Sequence, residues 1–155
     1  MPEDQSPTLL VVEDDPGHAR LIERNLRRAH LPYPIVLLRD GQVALDYLLP
    51  AREAQGARHP QPYLVLLDLN LPGCPGVEVL ARLKSDARTR HIPVVILTTT
   101  DDRHEIEACY ALGCNAYHTK PIAYDQFVEM IQKLGWWLTG IEVPRGSSAD
   151  MGKEL

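Results

Sequence analysis

Short apolar runs alternate along the chain with stretches in which apolar residues recur every three or four positions. TLLVV (8–12), PIVLL (34–38), YLVLL (63–67) and PVVIL (93–97) are continuous enough to be buried strands, and NAYHT (115–119) is a weaker fifth. After EDDP, a helical face collects His18, Leu21, Ile22, Asn25, Leu26 and Ala29. Pro16 suits its first turn and Asp15 its cap. GQVALDYLL predicts a second helix, and residues 76–86 a third on Val77, Val79, Leu80 and Leu83. A fourth runs through Ile106, Cys109 and Tyr110, and the last carries Phe127, Ile131, Leu134 and Leu138 on one face. Five strands alternating with five helices predict a parallel α/β sheet covered on both sides, doubly wound in its simplest topology. Pattern alone leaves the strand order open.

The 155 residues suffice for one domain, placed at 8–138, with residues 1–7 as an N-terminal tail. Residues 139–155 read as a C-terminal tail or dimerisation arm. The link PAREAQGARHPQP (50–62) is long, and either extends the second helix or forms a Pro-rich turn. Sixteen basic against 21 acidic residues give a net charge of −5, which argues against binding a nucleic-acid backbone. Three cysteines without a CxxC pair fit a reducing compartment, and no apolar run approaches a membrane span. The expectation is a cytoplasmic protein without a signal peptide.

The chemistry is expected at the strand ends, because open parallel sheets bind ligands beyond their carboxyl edge. Strand one ends in Glu13, Asp14 and Asp15, strand three in Asp68, strand four in Thr98, Thr99 and Thr100, and strand five in Lys120. If strands one and three are neighbours, their acids converge and either take up protons or bind a cation. An all-oxygen set with room for water suits Mg²⁺. A hydroxyl and an ammonium opposite it suit a tetrahedral anion. Each residue also has a plainer reading. Asp68 alone could cap a turn, Asp15 is a helix cap, and Tyr117 could be an ordinary strand aromatic. The six histidines share no ligand spacing and read as surface or structural residues.

VVEDDP, LLDLNLPG, VVILTT and YHTKP, in this order, resemble the receiver domain of two-component response regulators. The resemblance covers about residues 8–138 and implies a flavodoxin-like (βα)5 fold with strand order 2-1-3-4-5. It implies Asp68 as phosphoacceptor, attacking a phosphohistidine to form an acyl phosphate. It also implies Mg²⁺ held by Glu13, Asp14, Asp68 and the Asn70 carbonyl, with Lys120 pairing first with Asp68 and then with the phosphoryl group. Thr98 and Tyr117 would be the switch residues, and Asn70 and Thr100 would tune dephosphorylation. The Lys120–Pro121 bond is often cis in this family. Pro75-Gly76 stands where the family usually has Asp-Gly, which stiffens the loop after Asp68.

RDGQVALDYL (39–48), the long link, PVVILTTTDD, LGCNAYHTKP and the late GWWL are closer still to the single-domain regulators paired with phytochromes. The upstream partner expected from that likeness is a phytochrome-type sensor histidine kinase, and a DNA-binding output domain is not expected. On the last helix Trp136 falls opposite the apolar face and Trp137 at its margin. Either they lie under the tail residues Ile141 and Val143, or Trp136, Ile141 and Val143 make a homodimer contact.

Four functions compete. A phosphoacceptor switch that is not an enzyme fits the whole set. A phosphohydrolase would want a second acid two residues after its nucleophile, where Asn70 stands. A flavin module is disfavoured by the EDD run, which repels a phosphate. A docking module independent of phosphorylation, or an intermediate relay or phosphate-sink receiver, is the remaining alternative.

Overall fold

The structure, a computed structural model, describes residues 7–51 and 61–140. Five strands, β1 (Thr8–Val12), β2 (Ile35–Leu38), β3 (Pro62–Leu67), β4 (Val94–Thr98) and β5 (Ala116–Thr119), form one parallel sheet in the order β2-β1-β3-β4-β5. They alternate with α1 (Pro16–Arg28), α2 (Gly41–Leu48), α3 (Gly76–Ser85), α4 (Arg103–Leu112) and α5 (Tyr124–Thr139). This is the flavodoxin-like arrangement that the resemblance implies. The sequence reading missed only by a residue or so at element ends. β4 begins at Val94 rather than Pro93, which makes Thr98 its last residue.

The continuous apolar runs reflect burial on both faces. Leu10, Val12, Val65, Leu67, Val94 and Ile96 face α2, α3 and α4, where they pack with Leu45, Leu80 and Leu83. Leu9, Val11, Leu64, Leu66, Val95 and Leu97 face α1 and α5, against Ile22, Leu26, Phe127 and Ile131. Because β1 lies between β2 and β3, Glu13 and Asp68 leave the sheet side by side. The Asp68 N–H donates to the Val12 carbonyl at 3.0 Å, and the Glu13 N–H to that of Leu38 at 2.9 Å.

Helix starts are fixed by side chains that the sequence marks. Asp15 caps α1 by accepting from the His18 N–H at 3.0 Å, as expected. Asp40 caps α2 through the Gln42 and Val43 N–H groups at 2.7 and 3.0 Å. Helix α2 ends at Leu48, so the described part of the long link does not extend it, and residues 52–60 lie outside the described residues. The Lys84 ammonium on α3 donates to the carbonyls of Arg90 and Ile92 at 3.2 and 2.8 Å. It ties the helix to the entry of β4. No peptide bond among the described residues is cis, so Lys120–Pro121 is trans here, against the family tendency. No helix among the described residues is long and apolar enough to cross a membrane.

Trp136 is 80% exposed and Trp137 51%, on the side of α5 away from the sheet for Trp136 and at its border for Trp137. Ile141 and Val143, the expected companions of Trp136, lie outside the described residues.

Cys74, Cys109 and Cys114 are free and buried. Burial raises all three thiols above the ordinary range, Cys109 to about 11 from 9.0. A raised thiol holds less thiolate at any pH below its pKa, and thiolate is the reactive form. At pH 8, Cys109 should react with a maleimide about 100-fold more slowly in the native protein than in urea. Peptide mass spectrometry after timed quenching checks this, and equal rates in the two states would contradict the burial.

Candidate functional site

The site grows from three strand ends. Glu13 follows β1, Asp68 follows β3 and Lys120 follows β5, and all three are buried. The Lys120 chain is steered inward by its N–H, which donates to the Thr98 carbonyl at 2.6 Å. Its ammonium then donates to Asp68 Oδ2 at 2.9 Å and to Glu13 Oε1. Its burial follows from these pairings, since a lysine is seldom so covered unless its charge is met.

Two carboxylates facing one ammonium leave an excess negative charge in a dry place. Desolvation pushes Glu13 up from 4.5 to about 7; Asp68 beside it pushes the same way, and Lys120 opposes. Burial would raise Asp68 as well, but Glu13, Lys120 and the Asn70 N–H together hold it below the usual carboxylate range. The two environments thus push the carboxyl groups apart, Glu13 toward holding a proton and Asp68 toward the ionised form. An ionised carboxylate is the form with a lone pair to give.

Around this pair the other expected residues are distributed unevenly. The Asn70 N–H donates to Asp68 Oδ1 at 3.1 Å, which fixes the carboxylate, and its amide reaches Thr99 Oγ1 at 3.4 Å. Thr98 is wholly buried, and its hydroxyl has no hydrogen-bond partner among the described residues. A buried hydroxyl left unpaired is costly, so a ligand that it can meet is the natural explanation. The Tyr117 hydroxyl donates to the Thr100 carbonyl at 2.7 Å, tying β5 to the loop after β4. Burial raises that phenol to about 12, so it stays a donor.

Asp14 is exposed and makes no hydrogen bond or ion pair among the described residues. The expected Mg²⁺ set of Glu13, Asp14, Asp68 and the Asn70 carbonyl is not gathered into a protein cage. No group of three acidic, histidine or cysteine side chains suited to a metal occurs among the described residues. The Lys120 ammonium bonds both Glu13 and Asp68. Mg²⁺ does not require such a cage, because it keeps several waters and takes one or two carboxylates plus phosphate oxygens. Exposed Asp14, after β1, and Asp68, after β3, leave neighbouring strands at the same edge of the sheet and would supply such carboxylates.

The sequence reading missed His18. Its Nδ1 lies 3.2 Å from Lys120 Nζ, and its ring stacks on Phe127 with centroids 5.1 Å apart. Metal-ligand spacing could not reveal it. The available signal was its place three residues after the Asp15 cap, in the first turn above the acids.

An open parallel sheet with an acid pair and a lysine converging at its carboxyl edge is a doubly wound α/β domain with a polar site where such sheets bind ligands. The chain belongs to the response regulator receiver domain family, whose model matches residues 9–132. It is 36% identical over 137 residues to the response regulator Rcp1 of Synechocystis sp., covering 88% of this chain and 92% of that one. The Mn²⁺-bound form of Rcp1 superposes with a TM-score of 0.81 at 35% identity, over 89% of this chain and 99% of that one. A receiver domain from Rhodospirillum rubrum is 47% identical with a TM-score of 0.80, over 88% and 96% of the two chains. The phosphorylated cyanobacterial phytochrome response regulator RcpA is 36% identical with a TM-score of 0.77, over 90% and 99%. The chain is thus a two-component receiver related to phytochrome response regulators.

Proposed function

We propose that this chain is a phosphorylation-driven switch that accepts a phosphoryl group on Asp68 from a sensor histidine kinase in the cytoplasm. One observation carries the reading: the buried Asp68 carboxylate at the carboxyl edge of the sheet is aimed by Lys120, which donates to its Oδ2, and by the Asn70 N–H, which donates to its Oδ1. A bound Mg²⁺, held by Asp14, Asp68 and the Asn70 carbonyl with Glu13 behind them, would neutralise charge on the transferring phosphoryl group. The Asp68 carboxylate attacks phosphorus, the bond from phosphorus to the histidine nitrogen breaks, and the imidazole leaves with that electron pair. Lys120 and the unpaired Thr98 hydroxyl then receive the phosphoryl oxygens. When Thr98 turns toward the phosphoryl group, the 98–100 loop shifts, and the Tyr117–Thr100 hydrogen bond carries the change to β5.

The kinase is proposed to be of the phytochrome type, on the strength of the likeness to Rcp1 and RcpA. Asn70, in the place where a hydrolase would carry an acid, supports a phosphoacceptor rather than an enzyme that turns over phosphoesters. Asn70 and Thr100 are proposed to set the lifetime of the acyl phosphate.

The test is intact mass after incubation with Mg²⁺ and acetyl phosphate. A single phosphoryl adduct is expected, absent in Asp68→Asn. Wild type without an adduct would leave the docking reading, and many phosphoesters cleaved per chain would favour a hydrolase.

We also propose that the chain forms a homodimer through α5 and residues 139–155, because exposed Trp136 and Trp137 give α5 an apolar outer surface. Light scattering on the full chain should give the mass of a dimer, and removal of residues 139–155 should give a monomer. A dimer that survives the removal takes the tail out of the contact, and a monomeric full chain sinks the proposal.

A further inference from the structure

A lysine ammonium has three protons to give and no lone pair to receive one. Lys120 Nζ is buried, and three acceptors surround it: Glu13 Oε1, Asp68 Oδ2 at 2.9 Å and His18 Nδ1 at 3.2 Å. Since Lys120 can only donate, the His18 contact places the lone pair of the ring on Nδ1 and its proton on Nε2. A proton on Nδ1 would face the ammonium, and the acids it could pair with are farther off, Glu13 at 3.8 Å and Asp15 at 4.0 Å.

The ring is held at both ends. Its backbone N–H donates to the Asp15 cap at 3.0 Å, and its face stacks on buried Phe127 at an interplanar angle of 24°. The plainer account is that His18 merely covers Phe127. That account leaves the third proton of Lys120 without a reason to be met by a nitrogen rather than by a carbon.

We propose that His18 is a positioning residue, whose Nδ1 takes the third proton of Lys120 and sets the ammonium for the incoming phosphoryl group. The proposal rests on the reading of Asp68 as phosphoacceptor. An ammonium bonds an acid's oxygen more strongly than an imidazole nitrogen, and the contact with His18 Nδ1 at 3.2 Å is the longest of the three. The proton shared with His18 is therefore the one that Lys120 re-aims at a phosphoryl oxygen while keeping hold of the acids.

Two substitutions separate the contact from the stack. His18→Phe keeps a ring over Phe127 and removes the acceptor, whereas His18→Asn sets an amide oxygen near the place of Nδ1 and removes the ring. The Lys120 ¹⁵Nζ resonance and its hydrogen-exchange rate read the contact directly. Exchange should quicken in His18→Phe and return toward wild type in His18→Asn. Phosphoryl uptake from acetyl phosphate with Mg²⁺ should slow about tenfold in His18→Phe and recover in His18→Asn. A wild-type ammonium signal and wild-type uptake in His18→Phe would overturn the proposal, as would an Asn variant that behaves like the Phe variant. If wild type takes up no phosphoryl group, the Asp68 reading fails, and an unchanged Lys120 resonance in His18→Phe is then what refutes the contact with His18.

Discussion

Lys120→Met should be less stable than wild type by about 3–5 kcal/mol at pH 8 without divalent cations, and should regain part of that loss on adding Mg²⁺. Among the described residues the Lys120 ammonium is the one cation that bonds both Glu13 and Asp68, and all three groups are buried. Removing one member of a buried charge set strands the others, and that penalty exceeds the worth of the original pairing. A methionine of similar length fills the space, so lost packing contributes little. The stranded acids then become a better cation site, and Mg²⁺ should raise the melting temperature of the variant more than that of wild type. Phosphoryl uptake should fall by tenfold or so, because Asp68 is no longer aimed or kept ionised by a neighbouring positive charge. Urea unfolding with and without Mg²⁺ measures the first part, and timed intact mass the second. A variant as stable as wild type would mean that Glu13 and Asp68 do not share one counter-ion.

Much of that pocket could be read from the chain, because each of its members stands at the end of a strand-like run. Glu13, Asp68, Thr98 and Lys120 follow TLLVV, YLVLL, VVIL and AYHT, and a parallel sheet carries all such ends to one edge. The order of the strands was not legible in hydrophobic pattern, since β1, β3 and β4 are buried on both faces alike and none announces its neighbour. It entered through the resemblance. What the sequence could not show is which acid of strand one is buried. Glu13 and Asp14 are adjacent carboxylates, yet one is buried beside Lys120 and the other is exposed, and only the pleat of β1 and the turn into α1 decide this. His18 was missed for a related reason. Its helical face predicts packing on α5, which it does through Phe127, but the direction of its Nδ1 depends on a lysine 102 residues later. The Thr98 hydroxyl could be placed at a strand end, but that it lacks a partner is a property of packing alone.

Gly76→Ala should cost about 3 kcal/mol and lower phosphoryl uptake with it, although the new residue touches no ligand. Gly76 opens α3 at ordinary negative φ, where alanine is the better helix former by about 1 kcal/mol. On propensity alone the change would stabilise the protein. Space decides otherwise. A Cβ at residue 76 would lie 2.2 Å from the Asp68 carbonyl oxygen and 2.5 Å from the Leu69 Cα. Both are backbone atoms, so no side chain can swing away. The Gly76 N–H also donates to the Leu69 carbonyl at 3.0 Å, which pins α3 against this same segment. Relief must come from moving the backbone that carries Asp68, and the stiff Pro75 that precedes Gly76 limits movement from the other side. Gly17→Ala is the control. Its Cβ would meet only Asp15 Oδ1, at 3.2 Å, a side-chain atom that can shift. That variant should melt within a degree or two of wild type. Gly76→Ala should melt well below it and accept a phosphoryl group more slowly at a temperature where it is still folded. If both glycine variants are equally stable, the close approach of α3 to Asp68 does not hold in solution. If Gly76→Ala is destabilised yet phosphorylates at the wild-type rate, the Asp68 carboxylate is positioned by Lys120 and the Asn70 N–H alone, without help from the helix behind it.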